Sequence, residues 1–209
     1  MKTDHLIAML ARDDTPVSPL RRELLRAGAI GLGMAAVLFA LIYGLRPDFT
    51  AAAQDPRLWV KVVTPLMLLA GAGLAASALL RPEGRARRAA LIAAPLVLGL
   101  AVILELVALP AGRWGVALIG DNALKCIVSI PLLALAPFIA LMRAAREGAP
   151  TRPGLAGAVI GLAAAGGGAA LYALYCPDDS PFFVATWYSL AALAMAGIGA
   201  LVGQRWLRW

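Results

Sequence analysis

Six stretches of about twenty residues each are almost free of charge, at about 27–45, 58–80, 89–109, 123–142, 154–175 and 181–203. With a rise of about 1.5 Å per helical residue, each can cross a hydrocarbon layer about 30 Å thick. No soluble core accommodates six such segments. The residue balance agrees: 61% of the chain is hydrophobic and 15% charged, whereas soluble domains hold about 45–50% and about 25%. Within lipid every backbone polar group must be paired inside the protein, which leaves helices and closed barrels. The runs here are continuous and rich in Leu, Ala and Gly, without the alternation of barrel strands. The expected fold is therefore an all-α membrane protein with six transmembrane helices.

The chain carries a formal charge of +7, and the distribution of that charge is more informative than its size. Fourteen of the 19 basic residues fall in the N-terminal segment, in the second-to-third and fourth-to-fifth connections, and at the C-terminus. Basic residues concentrate on the cytoplasmic side of membrane proteins, so both termini are expected to be cytoplasmic. No RNA- or DNA-binding motif accompanies the charge, and no direct nucleic-acid contact is expected. Residues 1–26 then form a cytoplasmic segment and 27–209 the membrane domain. The first apolar run is read as a span and not as a signal peptide, because its polar lead is long and its apolar core exceeds the usual h-region. Trp59 and Trp114 would sit at the outer interface, with Trp206 and Trp209 at the inner one. Gly157-x-x-x-Gly161 and Gly199-x-x-x-Gly203 allow helices to approach closely and are read as packing sites.

Ionisable residues inside spans are functional candidates by default. Lys61 and Glu105 lie off-centre near the outer ends of the second and third spans. Opposite charges at similar depth suggest a pair, or a Lys61 that snorkels to the headgroups above a solvated Glu105. No span has a charge at mid-membrane, which argues against a proton or ion pathway.

The two cysteines bear most on chemistry. With no CxxC, the sequence gives no support to zinc-finger, haem-attachment or thioredoxin-like readings. Cys126 opens the fourth span and Cys176 closes the fifth, so both fall on the outer side. Counted from the inner loop, they stand at heights of about 25 and about 33 Å, a mismatch that kinks at Pro131 and Pro137 would narrow. Three roles are open: inert packing, a structural disulfide, or a redox- or metal-responsive pair. A soft metal would draw its oxygen ligands from Asp178 and Asp179, with Asp121 a further candidate. Asp178 and Asp179 also suit a turn and the N-cap of the sixth helix, ahead of Pro181.

The opening stretch MKTDHLIAMLARDD reads as a short amphipathic helix, with Leu6, Ile7, Met9 and Leu10 on one face and Asp4, His5 and Arg12 mainly off it. It would lie on the membrane surface or dock into a partner's groove. His5 is the only histidine, which leaves no histidine-based metal or catalytic site.

Several stretches, in order, resemble the NrsF-type negative regulators, which are membrane anti-sigma factors. These are TDHLIAMLA, LRPDF, DPRLWVK, REGAPTRPGLAGAVIGL, YALYCPDDSPFFVATWY and the closing LRW, and together they span essentially the whole chain. The resemblance implies a six-helix inner-membrane protein, without enzymatic activity or cofactor, that holds an extracytoplasmic-function sigma factor at the membrane. It points to Asp4, Leu6, Ile7 and Leu10 for sigma contact and to Cys126 and Cys176 for sensing. Tyr175 stands where the family often has histidine, and DNALKC lacks an expected tryptophan; both departures weaken a His/Cys metal site and leave thiol chemistry open. The competing reading is a small transporter or membrane enzyme. That would want a polar site in a broken helix at mid-membrane or a CxxC pair, and the sequence has neither.

Overall fold

A computed structural model describes residues 19–81 and 88–208. The segment bearing Asp4, His5, Leu6, Ile7 and Leu10 lies outside the described residues, as does Trp209. Six helices are long and apolar enough to cross a membrane. They are α1 (Leu20–Ile42), α2 (Pro56–Leu79), α3 (Arg88–Ala108), α4 (Ala123–Ala145), α5 (Pro153–Ala173) and α6 (Pro181–Trp206). No strand occurs among the described residues.

The first span differs most from expectation at its ends. It begins at Leu20, ahead of the expected Ala27, because Pro19 sits at its N-cap and its carbonyl accepts from Arg22 at 2.7 Å. Arg21, Arg22 and Arg26 are good helix formers, so their charge does not delay the helix. The span ends at Ile42 because Gly44 adopts φ +67° and returns its N–H to the Phe39 carbonyl. Such a left-handed residue closes a helix at little cost when it is glycine.

The fifth helix is the hub. It packs against α2, α4 and α6, while α1 leans on α4 and α3 touches mainly α2. Composition explains the centrality: α5 is built largely of Gly and Ala, so three neighbours can reach its backbone. Gly157 and Gly161 of α5 face Gly199 and Gly203 of α6, where a Cβ on Gly157 would run into the Gly199 carbonyl. The two glycine motifs thus pack on each other, as expected of close helix contacts in lipid, where van der Waals packing does the work of the hydrophobic effect. Pro131 and Pro137 lie inside α4, which runs unbroken through both.

The buried side chains form two clusters, stacked along the bundle axis. One, at the end of the bundle that bears the chain termini, includes Leu79, Met142 and Ala156; the other, at the end expected to face outward and called the outer cluster for that reason, includes Phe39, Cys126, Tyr172, Cys176 and Tyr188. Between α3 and α4 lie a 3-10 turn at Ala111–Arg113 and a short helix at Trp114–Ile119, at the same end of the bundle as the two cysteines. That short helix is held to α6 by Trp187 Nε1, which donates to the Leu118 carbonyl at 2.8 Å.

Candidate functional site

The outer cluster is organised by the loop at residues 174–180, between α5 and α6. Cys126 lies in the first turn of α4, and its N–H donates to the Asn122 carbonyl at 2.9 Å. Cys176 follows the last turn of α5, its N–H donating to the Tyr172 carbonyl at 3.1 Å. The two sulfurs are 4.0 Å apart, and both residues are 0% exposed. Both are free thiols. The expected height mismatch disappears because α4 continues past Met142 to Ala145 and α5 stops at Ala173. The helical runs below the two sulfurs are thus nearly equal. Closing a bond of about 2.05 Å would need the sulfurs to move together by about 2 Å.

Lys61 neither snorkels nor pairs with Glu105. It lies on the buried stripe of α2, three residues after Leu58 and three before Thr64, and is 0% exposed. Its Nζ donates to the Cys176 carbonyl at 2.5 Å and to Asp179 Oδ1 at 3.0 Å. Glu105 is instead held by Arg57, one helical turn earlier on α2, at 2.9 Å. Depth along the axis was legible in the sequence; the direction in which each charge faces was not.

Asp179 has a second cation. Arg46, just after α1, donates Nη1 to Asp179 Oδ2 at 2.7 Å and grips Asp48 with Nε and Nη2, each at 2.8 Å. Two cations meet two carboxylates, so the cluster is neutral overall, a usual condition for burying charge. The hydrogen bond from Arg46 holds the Asp48 carboxyl below its ordinary value. In return, chiefly through that same bond, the Arg46 guanidinium is held charged above its ordinary range against the opposing effect of burial. Arg46 also donates its backbone N–H to the Leu174 carbonyl at 3.2 Å, which ties the first outer connection to the cysteine loop.

Asp178 turns the other way. Its Oδ2 accepts from the Asn122 backbone N–H at 3.0 Å and from Asn122 Nδ2 at 2.9 Å. It thereby pins the start of α4, where Cys126 sits. Gly120 precedes this junction with φ +56°, and a Cβ there would strike the Phe183 ring and approach the Asp178 carboxyl. Neither Asp178 nor Asp179 caps α6: that position belongs to Ser180, with Pro181 in the first turn and no side-chain cap. Both carboxylates are thus committed to partners beside the thiols. Among the described residues no three of His, Cys, Asp and Glu are grouped as a metal site would require. The sequence reading missed Arg46 and Lys61 as members of this site; the Arg-Pro-Asp of LRPDF, which places a carboxylate two residues after an arginine, was the available signal.

Around the sulfurs stands a wall of aromatic rings. Tyr172 lies within 5.7–6.3 Å, centroid to centroid, of Tyr43, Tyr175 and Tyr188. Tyr43 donates to Ser129 Oγ at 2.7 Å, which secures the outer end of α1 to α4. For Cys176, outside the spans, the hydrogen bond from the Cys126 thiol and then the Lys61 charge outweigh burial and draw the thiol down to about 7. This arrangement suits two-electron thiol chemistry, in which a Cys176 thiolate attacks and Cys126 resolves.

The family model for "Negative regulator of sigma F" matches residues 10–209. The chain is 42% identical, over all of both chains, to the anti-sigma-F factor NrsF of Caulobacter vibrioides. It is 35% identical, again over full length, to a protein from Azospira oryzae named a probable anti-sigma-F factor NrsF. No solved structure matches the chain.

Proposed function

The chain belongs to the family of negative regulators of sigma F, and from that premise we propose that it is a multi-pass anti-sigma factor of a bacterial inner membrane. Both termini lie in the cytoplasm. The N-terminal segment, through Asp4, Leu6, Ile7 and Leu10, contacts a sigma factor of the extracytoplasmic-function class and keeps it from RNA polymerase. A signal reaching Cys126 and Cys176 on the periplasmic side changes their bonding and releases it.

The observation that carries the sensing half is the sulfur pair itself: two buried free thiols 4.0 Å apart, one in the first turn of α4 and the other in a loop bonded to α2, to the connection after α1 and to the start of α4. A change in that loop pulls on three other parts of the bundle at once. Joining the sulfurs is favoured over binding a soft metal, because the neighbouring carboxylates Asp178 and Asp179 would first have to abandon their present partners.

Co-purification from membranes tests the class, with a stoichiometric sigma factor as the expected result. Deleting residues 1–12 should abolish that association while leaving the helical bundle intact by circular dichroism. Cys126→Ser and Cys176→Ser should retain the sigma factor and lose its release under oxidant or heavy-metal stress. Normal release from both variants would end the sensing half, and intact binding after the deletion would end the contact half.

A further inference from the structure

The proposed lead contact is too small to hold a protein partner by itself. A stable interface takes about 20–30 residues and about 800 Å² from each side, whereas the apolar face of residues 1–12 supplies only Leu6, Ile7, Met9 and Leu10. Further surface must come from the same side of the membrane, which is the end of the bundle that bears the chain termini.

That end is closed and fixed. The connection between α4 and α5 folds across the end of α2: the Ala149 N–H donates to the Leu80 carbonyl at 2.9 Å, and a Cβ on Gly148 would strike the same carbonyl. Leu80 is 1% exposed beneath it. On the other flank a Cβ on Gly203 would meet the Pro153 carbonyl, and one on Gly154 the Gln204 side chain. Leu207 packs into the core cluster of Met142 and Ala156. The end of α2, the α4–α5 connection and the C-terminus therefore form one platform. A surface already in place loses little freedom when a partner settles on it.

The charge of this platform is nearly all of one sign. Arg81, Arg146, Arg152, Arg205 and Arg208 are exposed, and Glu147 is the one acid among the described residues of these segments. Among the described residues none of the five arginine side chains has an acidic partner or a hydrogen bond. At the opposite end Arg46, Arg57 and Lys61 are each held in an ion pair. Orienting spans in a membrane requires positive charge near their ends. It does not require that charge on a loop folded over the bundle, nor guanidinium in preference to ammonium. Yet the lysines of the chain are Lys2, Lys61 and Lys125, and the platform has none. Arginine grips carboxylates through two bonds at once and is enriched at protein interfaces. Lipid headgroups ring a bundle, whereas a loop laid across its end faces the aqueous compartment.

We propose that this platform is a docking surface for an acidic face of the same partner that residues 1–12 contact; the inference rests on the anti-sigma reading above. The arginines draw the partner in and set its orientation, and the apolar lead then holds it.

The full chain in phosphatidylcholine nanodiscs, with the sigma factor recovered by co-purification as the probe, tests this through association kinetics. The wild-type association rate should fall steeply with salt. Arg146→Glu/Arg152→Glu should slow association roughly tenfold or more at low salt, and far less near 1 M, where screening shortens to about 3 Å. Arg146→Gln/Arg152→Gln should show a smaller loss in the same direction. Arg146→Lys/Arg152→Lys should keep the association rate and dissociate faster, since the charge remains and the two-bonded grip is gone. Circular dichroism and melting midpoints should match the wild type throughout, because these side chains have no partner to lose. A salt-independent wild-type rate, or equal rates for wild type and the Glu variant at low salt, overturns the docking surface and leaves the anti-sigma reading standing. So does a Glu variant that binds the sigma factor normally but loses a stabilisation by phosphatidylglycerol seen in the wild type, which assigns the arginines to lipid. If the wild-type chain itself binds no sigma factor, the anti-sigma reading falls and this surface falls with it.

Discussion

Replacing Asp179 with asparagine isolates what the buried ammonium of Lys61 requires. Asp179 takes Lys61 at 3.0 Å and Arg46 at 2.7 Å. Without its charge, Arg46 keeps both bonds to Asp48, whereas Lys61 is left with only the Cys176 carbonyl. The cost therefore falls almost wholly on Lys61. Removing one partner of a buried ion pair costs about 3–5 kcal/mol, and the asparagine oxygen recovers about 1 kcal/mol as a neutral acceptor. That leaves about 2–4 kcal/mol, or a melting midpoint lower by roughly 4–16 °C at about 2–4 °C per kcal/mol for a chain of this size. Lys61→Met should be milder, because Asp179 retains Arg46 and the methionine fills much of the same volume. The decisive measurement is the double variant Lys61→Met/Asp179→Asn, followed by thermal unfolding in nanodiscs. It should melt higher than Asp179→Asn alone, since the stranded ammonium is gone. If Asp179→Asn melts with the wild type, or if adding Lys61→Met lowers its midpoint further, Lys61 does not depend on Asp179 as argued.

Other consequences follow from the same geometry. Oxidation should close a disulfide spanning the 50 positions that separate Cys126 and Cys176. On chain entropy alone it should stabilise the bundle by about 4 kcal/mol, measured as the midpoint difference with and without reductant. Because the Cys176 thiol is drawn below the ordinary value, its alkylation in detergent should reach half-maximal rate at lower pH than that of a free thiol. The depressed value also stabilises the fold above the unfolded-state thiol pKa, and that contribution is lost as pH falls through the folded one. Lys61→Met should shift the alkylation profile upward, and an unmoved profile would remove Lys61 from the account. Gly120→Leu meets both a positive φ and the Phe183 ring, so it should cost more than about 1 kcal/mol, visible as a lower midpoint and increased alkylation of Cys126.

The six spans were legible because length and apolarity alone decide them, and the glycine motifs because lipid leaves few other uses for small residues at that spacing. That both cysteines stand at the same end of the bundle followed from the order of the spans. What the chain does not display is azimuth. Lys61 and Glu105 share a depth, yet one points to the centre of the bundle and the other to Arg57. Rotation of a helix about its own axis separates these outcomes, and such rotation is set by neighbours distant in sequence. The carboxylates of the CPDDSP loop were misread for the same reason: local rules favour a helix cap, whereas the partners that claim them stand 133 and 56 positions away, at Arg46 and Asn122.

The fifth helix has a genetic consequence. It carries no charge and almost no bulk, and three other helices touch its backbone. Every added methyl along Gly157, Gly161, Gly166 or Gly168 must push a neighbouring helix outward. A random-mutagenesis screen for cells in which the sigma factor is constitutively free should therefore return small-to-large changes on this helix more often than cysteine replacements. On the proposed thiol-sensing reading, losing a thiol silences the signal, whereas wedging the hub mimics it.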